Sequence, residues 1–150
     1  MWRAALEERA TPLGIASSVA LGVFAGCTPF IGAHAGIALV AATVCRVNRL
    51  WAVIGSRVSF FLILPWIILA EIETSHRLRT GAWAPLSAEE AFAHKGEWLL
   101  DWCLGTLPVG LTLAAILGTV AYGLARRRET VRRRRLAPAP PPSSESPRSG

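Results

Sequence analysis

The fold is decided by residues 12–45, which read PLGIASSVALGVFAGCTPFIGAHAGIALVAATVC. These 34 residues contain no Lys, Arg, Asp or Glu, and they are interrupted near the middle by the helix breakers Gly26, Pro29 and Gly32. Neither half reaches the roughly 20 apolar residues that cross a bilayer. A straight helix over the whole run would be about 50 Å long, well beyond the ~30 Å hydrocarbon core. The pattern therefore predicts a re-entrant helical hairpin.

Two later apolar segments are each long enough to span a membrane. Residues 50–70 carry one charge, Arg57, and one helix breaker, Pro65, whereas residues 103–125 carry no charge and one breaker, Pro108. The predicted fold class is an all-α integral membrane protein with a re-entrant hairpin and two transmembrane helices. The alternative is three or four full spans, in which residues 12–45 themselves cross the membrane.

The remaining segments are polar. Residues 71–101 are predicted to form an external loop, in which Ser87 and Glu90 have the spacing of a capping box at a helix start. Residues 126–150 are basic and rich in Pro and Ser, a composition that predicts a disordered tail beyond a membrane domain of residues 1–125.

The basic charge is confined to that tail. The formal net charge of the chain is +6, and the eight arginines and two glutamates from residue 126 onward supply all of it. We therefore expect no nucleic-acid partner. Arginines beside a span favour the cytoplasmic side, which predicts a multi-pass protein of the bacterial inner membrane with a cytoplasmic C-terminus. The arginines between Arg126 and Arg135 are expected to attract anionic lipid headgroups.

Three residues near the break are candidates for an anion site. His34 begins the second half of the hairpin, where the free N–H groups and positive dipole end of a helix face the break. Thr28 lies in the break, and Arg57 has the reach to approach it. A substrate-binding role for the three competes with plainer ones, since His34 could simply pack and Arg57 could extend to the headgroups.

Other polar residues suggest weaker roles. Asn48 is expected to close a polar turn, while Glu71 and Glu73 either couple transport to protons or cations or pair with Arg77 and Arg79 along one helix. The Gly26 to Pro29 string is echoed by Gly105 to Pro108, as in transporters with internal repeats. We find no catalytic motif, so we expect no enzyme, no cofactor and no metal site.

The string G-x-F-x-G-x-x-P-x-x-G, from Gly22 to Gly32, is followed by Asn48, Pro65 and Gly81. Over residues 12–125 the chain resembles the bacterial membrane domain-of-unknown-function family 2062. It departs from that family at residues 59–61, where Ser-Phe-Phe stands in place of the usual Asn-Pro pair. The resemblance transfers no established activity. Some relatives resemble fusions to glycosyltransferase-like domains, which implies work on the envelope or on lipid-linked glycans.

These observations predict a carrier, or a handler of anions or lipid headgroups, in envelope biogenesis. The alternative is a membrane scaffold or accessory subunit that transports nothing and binds a partner protein. We expect the chain to act alone in the lipid bilayer, as a homo-oligomer, or with another membrane protein.

Overall fold

The computed structural model describes residues 11–30, 32–57, 63–84 and 95–136. Within these ranges all regular structure is helical, which confirms the predicted all-α class. The elements are α1 (Pro12–Cys27), α2 (His34–Val44), α3 (Arg49–Ser56), α4 (Leu64–Thr80), α5 (Lys95–Gly105), a π-helical turn (Thr106–Gly110) and α6 (Leu111–Leu136).

The run of residues 12–45 forms two short helices on either side of a break. The Thr11 hydroxyl accepts a hydrogen bond from Gly14 N–H at 3.1 Å. Pro12 lies in the first turn, where a backbone N–H would have no partner within the helix, so proline loses nothing by lacking one. Helix α1 ends at Cys27 because Thr28 has an extended backbone. Gly32 takes a φ of +88°, a conformation that favours glycine, just before α2 begins. The helices α1 and α2 then pack against each other.

The turn between α2 and α3 is held by backbone and side-chain hydrogen bonds. Arg46 adopts a left-handed φ of +54°, and Val47 N–H donates to Ala42 O at 3.0 Å, which closes the end of α2. The Asn48 side chain caps α3 by accepting from Leu50 N–H and Trp51 N–H. Its own N–H donates to the Ser18 hydroxyl of α1 at 2.9 Å. Asn48 therefore ties the turn to the central helix.

Residues 50–70 do not form the single helix that their length predicts. Helix α3 ends at Ser56, with Arg57 as its C-cap, and α4 begins at Leu64. Pro65 lies in the first turn of α4, where its missing N–H costs nothing. The sequence pattern counted apolar residues and could not show that Pro65 starts a helix. Residues 58–62, which include the Ser-Phe-Phe departure, lie outside the described ranges.

Helix α5, the π-turn and α6 form one continuous helix of 42 residues, Lys95–Leu136. Within the described ranges it is the one helix long and apolar enough to cross a membrane, whereas α1 and α2 are apolar but shorter. Pro108 does not end this helix. It lies in the π-turn, whose wider backbone leaves room for the proline ring and tolerates the hydrogen bond that proline cannot donate.

The predicted tail and loop are more helical than their composition suggested. The predicted disorder from residue 126 onward is wrong as far as Leu136, where α6 ends. Arginine favours helices, and Arg133 pairs with Glu129 at 2.6 Å. The predicted loop of residues 71–101 contains the second half of α4 and the first half of α5. Residues 137–150 and the proposed cap at Ser87 and Glu90 lie outside the described ranges.

Small residues let the helices pack closely around α1. A side chain at Gly22 would overlap the Ala52 carbonyl oxygen of α3, and one at Gly55 would overlap the Val19 carbonyl oxygen of α1. Gly118 of α6 lies against Ala20 in the same way. Close backbone approach of this kind is typical of helices packed in membranes.

The distribution of side chains differs from that in a water-soluble helical bundle, although Val23, Ile67 and Ile72 are buried. The hydrophobic cluster at the centre is made of alanines: Ala25, Ala38, Ala42 and Ala52. Larger apolar side chains face outward, among them Leu13, Phe30, Val44, Trp66, Leu78, Trp83, Leu111 and Ile116. A water-soluble monomer rarely exposes so much apolar surface.

We predict that Gly22→Ala lowers the free energy of unfolding by about 1–3 kcal/mol, because the new methyl group forces α1 and α3 apart. The matched control is Gly36→Ala on α2, where nothing lies within 4 Å of the added carbon. The control should change stability by no more than about 1 kcal/mol, in the stabilising direction. Thermal unfolding in detergent measures both variants, and equal losses would show that the α1–α3 contact is not tight.

Candidate functional site

The candidate site lies where α4 and α5 pack against each other beside the end of α1. The contact is close because α5 presents Gly105 to the backbone of Glu71, where any side chain would overlap the Glu71 carbonyl oxygen. Helices α4 and α5 run in opposite directions, since Glu71 meets Gly105 and Ser75 meets Asp101. This pairing places the polar face of α4 against α5.

Asp101 is the centre of a buried polar cluster. It is 1% exposed and has partners at both carboxylate oxygens. Oδ1 accepts from the Ser75 hydroxyl at 3.0 Å and lies 3.3 Å from an Arg79 guanidinium nitrogen. Oδ2 lies 3.1 Å from His76 Nδ1. The side chains of Arg79 and His76 are 33% and 20% exposed, so the cluster connects the buried carboxylate to the surface.

Glu71 lies one helical turn before Ser75 and is fully buried, at 0% exposure. The side-chain donors of Trp102 and Thr106 lie close enough to its carboxyl group to lower its pKa, but within the described residues neither carboxyl oxygen makes a hydrogen bond of good geometry. The Trp102 indole nitrogen is likewise buried without a partner there. Glu71 stands just beyond the predicted span of residues 50–70. Burial raises the pKa of its carboxyl to about 7, against the smaller lowering effects of Trp102 and Thr106.

Thr106 links this cluster to the hairpin break. It is the first residue of the π-turn, and its hydroxyl is shared between the Trp102 carbonyl oxygen at 3.1 Å and the Cys27 carbonyl oxygen at 3.3 Å. Cys27 is the last residue of α1. The repeated strings at Gly26 to Pro29 and Gly105 to Pro108 therefore meet in space at Cys27 and Thr106.

The three residues of the predicted anion site lie at or near the break, but only two of them touch. His34 Nε2–H donates to the Thr28 carbonyl oxygen at 2.8 Å, and the Thr28 hydroxyl donates to Ala25 O at 2.7 Å. Arg57 is exposed, and no ion pair or side-chain hydrogen bond joins it to another described residue. Helix α3 runs in the same direction as α1, since Asn48 meets Ser18 and Ser56 meets Gly22. The Arg57 end of α3 is therefore the end nearer the break.

The predicted pairing of Glu71 and Glu73 with Arg77 and Arg79 is not formed among the described residues. Arg77 stacks over the Trp83 ring at 4.0 Å. Glu73 Oε1 accepts from the Ala84 N–H at 3.3 Å. Helical spacing could not predict these contacts, because Trp83 and Ala84 lie after the end of α4.

The sequence interpretation missed the polar residues that complete the cluster: Ser75, His76, Asp101, Trp102 and Thr106. Of these, only Asp101 has a signal in the sequence. It comes directly before the uncharged residues 102–125, just as Glu71 comes directly after the uncharged residues 58–70. Within the described ranges, no group of three or more His, Cys, Asp and Glu side chains is arranged to hold a metal ion.

The family model described as "Uncharacterized protein conserved in bacteria (DUF2062)" matches residues 2–134. The chain belongs to the DUF2062 family. No curated protein and no solved structure matches this DUF2062 protein. The matched range covers the hairpin, the polar cluster and most of the basic helical segment, so the family assignment applies to all the elements described above.

We predict that Asp101→Asn lowers the free energy of unfolding by about 1–3 kcal/mol, because the amide cannot compensate the charge of Arg79 or accept hydrogen bonds at both of its terminal atoms. The loss is limited because Arg79 can turn toward water. The control is Glu97→Gln, two residues into the same helix and exposed, which should change stability by less than about 0.5 kcal/mol. Denaturation in detergent distinguishes them, and a neutral Asp101→Asn would mean that the cluster contributes nothing to the fold.

Proposed function

We propose that this DUF2062 protein is a multi-pass protein of the bacterial inner membrane, with its C-terminus in the cytoplasm. Three features support membrane residence: the long apolar helix Lys95–Leu136, the small-residue packing around α1, and the outward-facing Leu, Ile, Val, Phe and Trp side chains. In a bilayer those that lie within the apolar segments would meet lipid, whereas Leu78 lies beyond them on α4. The arginines between Arg126 and Arg135 then follow the apolar part of α6 and fit the cytoplasmic side.

We propose further that the protein is a small carrier, or a handler of anions or lipid headgroups, in the envelope. The observation that carries this proposal is the buried, unpaired carboxyl of Glu71 beside the break between α1 and α2. Ionisable groups at the end of a membrane span are costly, and in transport proteins they mark ion and proton paths. A scaffold gains nothing from such a group, because an apolar residue would fill the same space at lower cost.

The break itself supplies the other requirement of a carrier, a backbone interruption inside the helical bundle. Helices α1 and α2 contain 16 and 11 residues, which correspond to about 24 Å and 16 Å. Neither crosses a bilayer core of ~30 Å, so the break would lie at depth, covered by the π-turn and α6. Interrupted helices at depth are typical of transporter binding sites. Thr28, His34 and Arg57 are the side chains that we assign to the substrate.

We predict that a cysteine at Thr28 reacts slowly, and only with small membrane-impermeant thiol reagents, because a carrier needs a water path to the break. The experiment uses intact cells and single-cysteine variants in a background where Cys27, Cys45 and Cys103 are replaced. Leu78→Cys, on the exposed part of α4, should label readily from outside. Val131→Cys, on the basic segment of α6, should label only after the cells are opened.

Two results would contradict this proposal. A Thr28→Cys variant that reacts with no reagent indicates a dry break and favours the scaffold. Labelling of Val131→Cys from outside reverses the topology.

We predict that Arg57→Leu changes the charge preference of labelling at Thr28→Cys. If Arg57 faces the substrate path, the ratio of the rate with an anionic reagent to that with a cationic one should fall several-fold, because a positive charge is lost near the break. The matched control is Arg49→Leu, at the other end of α3, which should leave the ratio unchanged. Equal effects of the two variants would remove Arg57 from the proposed site.

A further inference from the structure

The arrangement around Glu71 is that of a neutral acid. An ionised carboxylate at 0% exposure is stable only when hydrogen bonds or an opposite charge replace its lost water. Asp101 has such partners: the Ser75 hydroxyl and the His76 ring contact its carboxylate, and the Arg79 guanidinium supplies an opposite charge. Glu71 has none of good geometry among the described residues. Glu71 is therefore the buried carboxyl group whose charged form lacks compensation among the described residues.

The donors that an ionised Glu71 would need are already in place beside it. Among the described residues, Trp102 Nε1–H is buried without a hydrogen bond of good geometry, and the Thr106 hydroxyl donates to the Cys27 and Trp102 carbonyl oxygens. A hydroxyl has one hydrogen, so Thr106 cannot donate to Glu71 while it also serves the Cys27 and Trp102 carbonyl oxygens. Its choice of acceptor depends on whether Glu71 is charged.

We propose that Glu71 is a proton-binding site, and that its charge state decides whether the Thr106 hydroxyl holds the end of α1 at the hairpin break. The inference rests on the carrier proposed above and identifies its coupling ion as the proton. With Glu71 neutral, Thr106 donates to the Cys27 carbonyl oxygen. When Glu71 releases its proton to water, the Thr106 hydroxyl and the Trp102 indole N–H turn to the carboxylate, and Cys27 loses its only described bond to the π-turn.

Polar side chains continue from Glu71 toward the partly exposed His76 along the same face of α4. Ser75 lies one turn from Glu71 and donates to Asp101, which in turn contacts the partly exposed His76. The release step moves one proton from the Glu71 carboxyl to bulk water and leaves a carboxylate, with no other bond formed or broken. The π-turn at Thr106 to Gly110 suits such a change, since π-helical turns are locally irregular and common at functional sites.

Other titratable groups surround Glu71 and must be separated from it in any measurement. Helix α1 contributes the Cys27 thiol, on which the Glu71 charge acts directly, and α5 contributes Asp101. The π-turn has no titratable residue. Helix α4 itself carries Glu73, His76, Arg77 and Arg79.

Infrared difference spectroscopy tests the proton site on the full chain in lipid nanodiscs. Between about pH 5 and about pH 9, a range that brackets the raised value, we expect a protonated-carboxyl band to disappear with a midpoint near 7. Glu71→Gln should abolish this band, whereas Glu73→Gln and the exposed Glu97→Gln should leave it unchanged. A band that survives Glu71→Gln overturns the proposal. So does a midpoint that moves with sodium concentration, which would indicate a cation site.

Distance measurement by electron paramagnetic resonance tests the contact at the break. Spin labels replace Phe30 in the break and Leu78 on α4, both exposed, in the background without native cysteines. Above the midpoint we expect the distance to shift by about 1–2 Å or its distribution to broaden. In Glu71→Gln the label-to-label distance should keep its low-pH distribution at every pH. In Thr106→Val, whose side chain cannot donate to Cys27, it should keep the high-pH distribution at every pH. Unchanged pH dependence in either variant contradicts the proposal.

These measurements fail independently of the carrier proposal. Neither of them requires a water path to Thr28 or a substrate. A dry break at Thr28 together with the expected infrared and distance changes would refute the carrier but leave the proton site. A reactive Thr28 without a titrating Glu71 would do the reverse.

Discussion

The structure depends on the close approach of helix backbones at positions where only glycine fits. Gly22 lies against the Ala52 carbonyl oxygen, and Gly105 lies against that of Glu71. In the proposed membrane setting lipid gives helices no hydrophobic reason to associate, so contact there would come from van der Waals packing and from hydrogen bonds. The first glycine fixes α3 on α1, and the second fixes α5 on α4. Without the second contact, Asp101 would not reach Ser75, and Glu71 would not be enclosed.

The polar cluster has two parts with opposite electrostatic designs. Around Asp101 both carboxylate oxygens have partners in Arg79, His76 and Ser75, and we assign this part a structural role. Around Glu71 the compensation is missing, although unused donors are close by. A buried carboxyl group without good hydrogen bonds costs free energy, and groups with a perturbed pKa cluster at functional sites. The contrast between the two carboxyl groups is the reason for assigning function to one and structure to the other.

The sequence predicted the parts of the fold that local rules determine. The charge-free run with Pro29 and Gly32 gave the two helices and the break, and the position of Asn48 after α2 gave the turn. It did not predict the cluster, because Ser75 and Asp101 are 26 residues apart and meet only through the pairing of α4 with α5. Nor could hydropathy distinguish Pro65, which begins a helix, from Pro108, which a π-turn accommodates. Thr28, His34 and Arg57 lie at or near the break, and their role in binding a substrate stays a prediction. The environment of Glu71 could not be predicted, because it depends on burial that only the fold reveals.

Because α6 continues through Leu136, the arginines of the basic segment would lie at different distances from the membrane surface in the proposed topology. A helix that leaves the bilayer upright carries its charges away from the surface at 1.5 Å per residue, so Arg135 stands roughly 14 Å farther out than Arg126. At physiological ionic strength electrostatic attraction is screened within about 8 Å. In the proposed topology the first arginines therefore lie in the field of anionic headgroups, whereas the last ones stand beyond its screening distance.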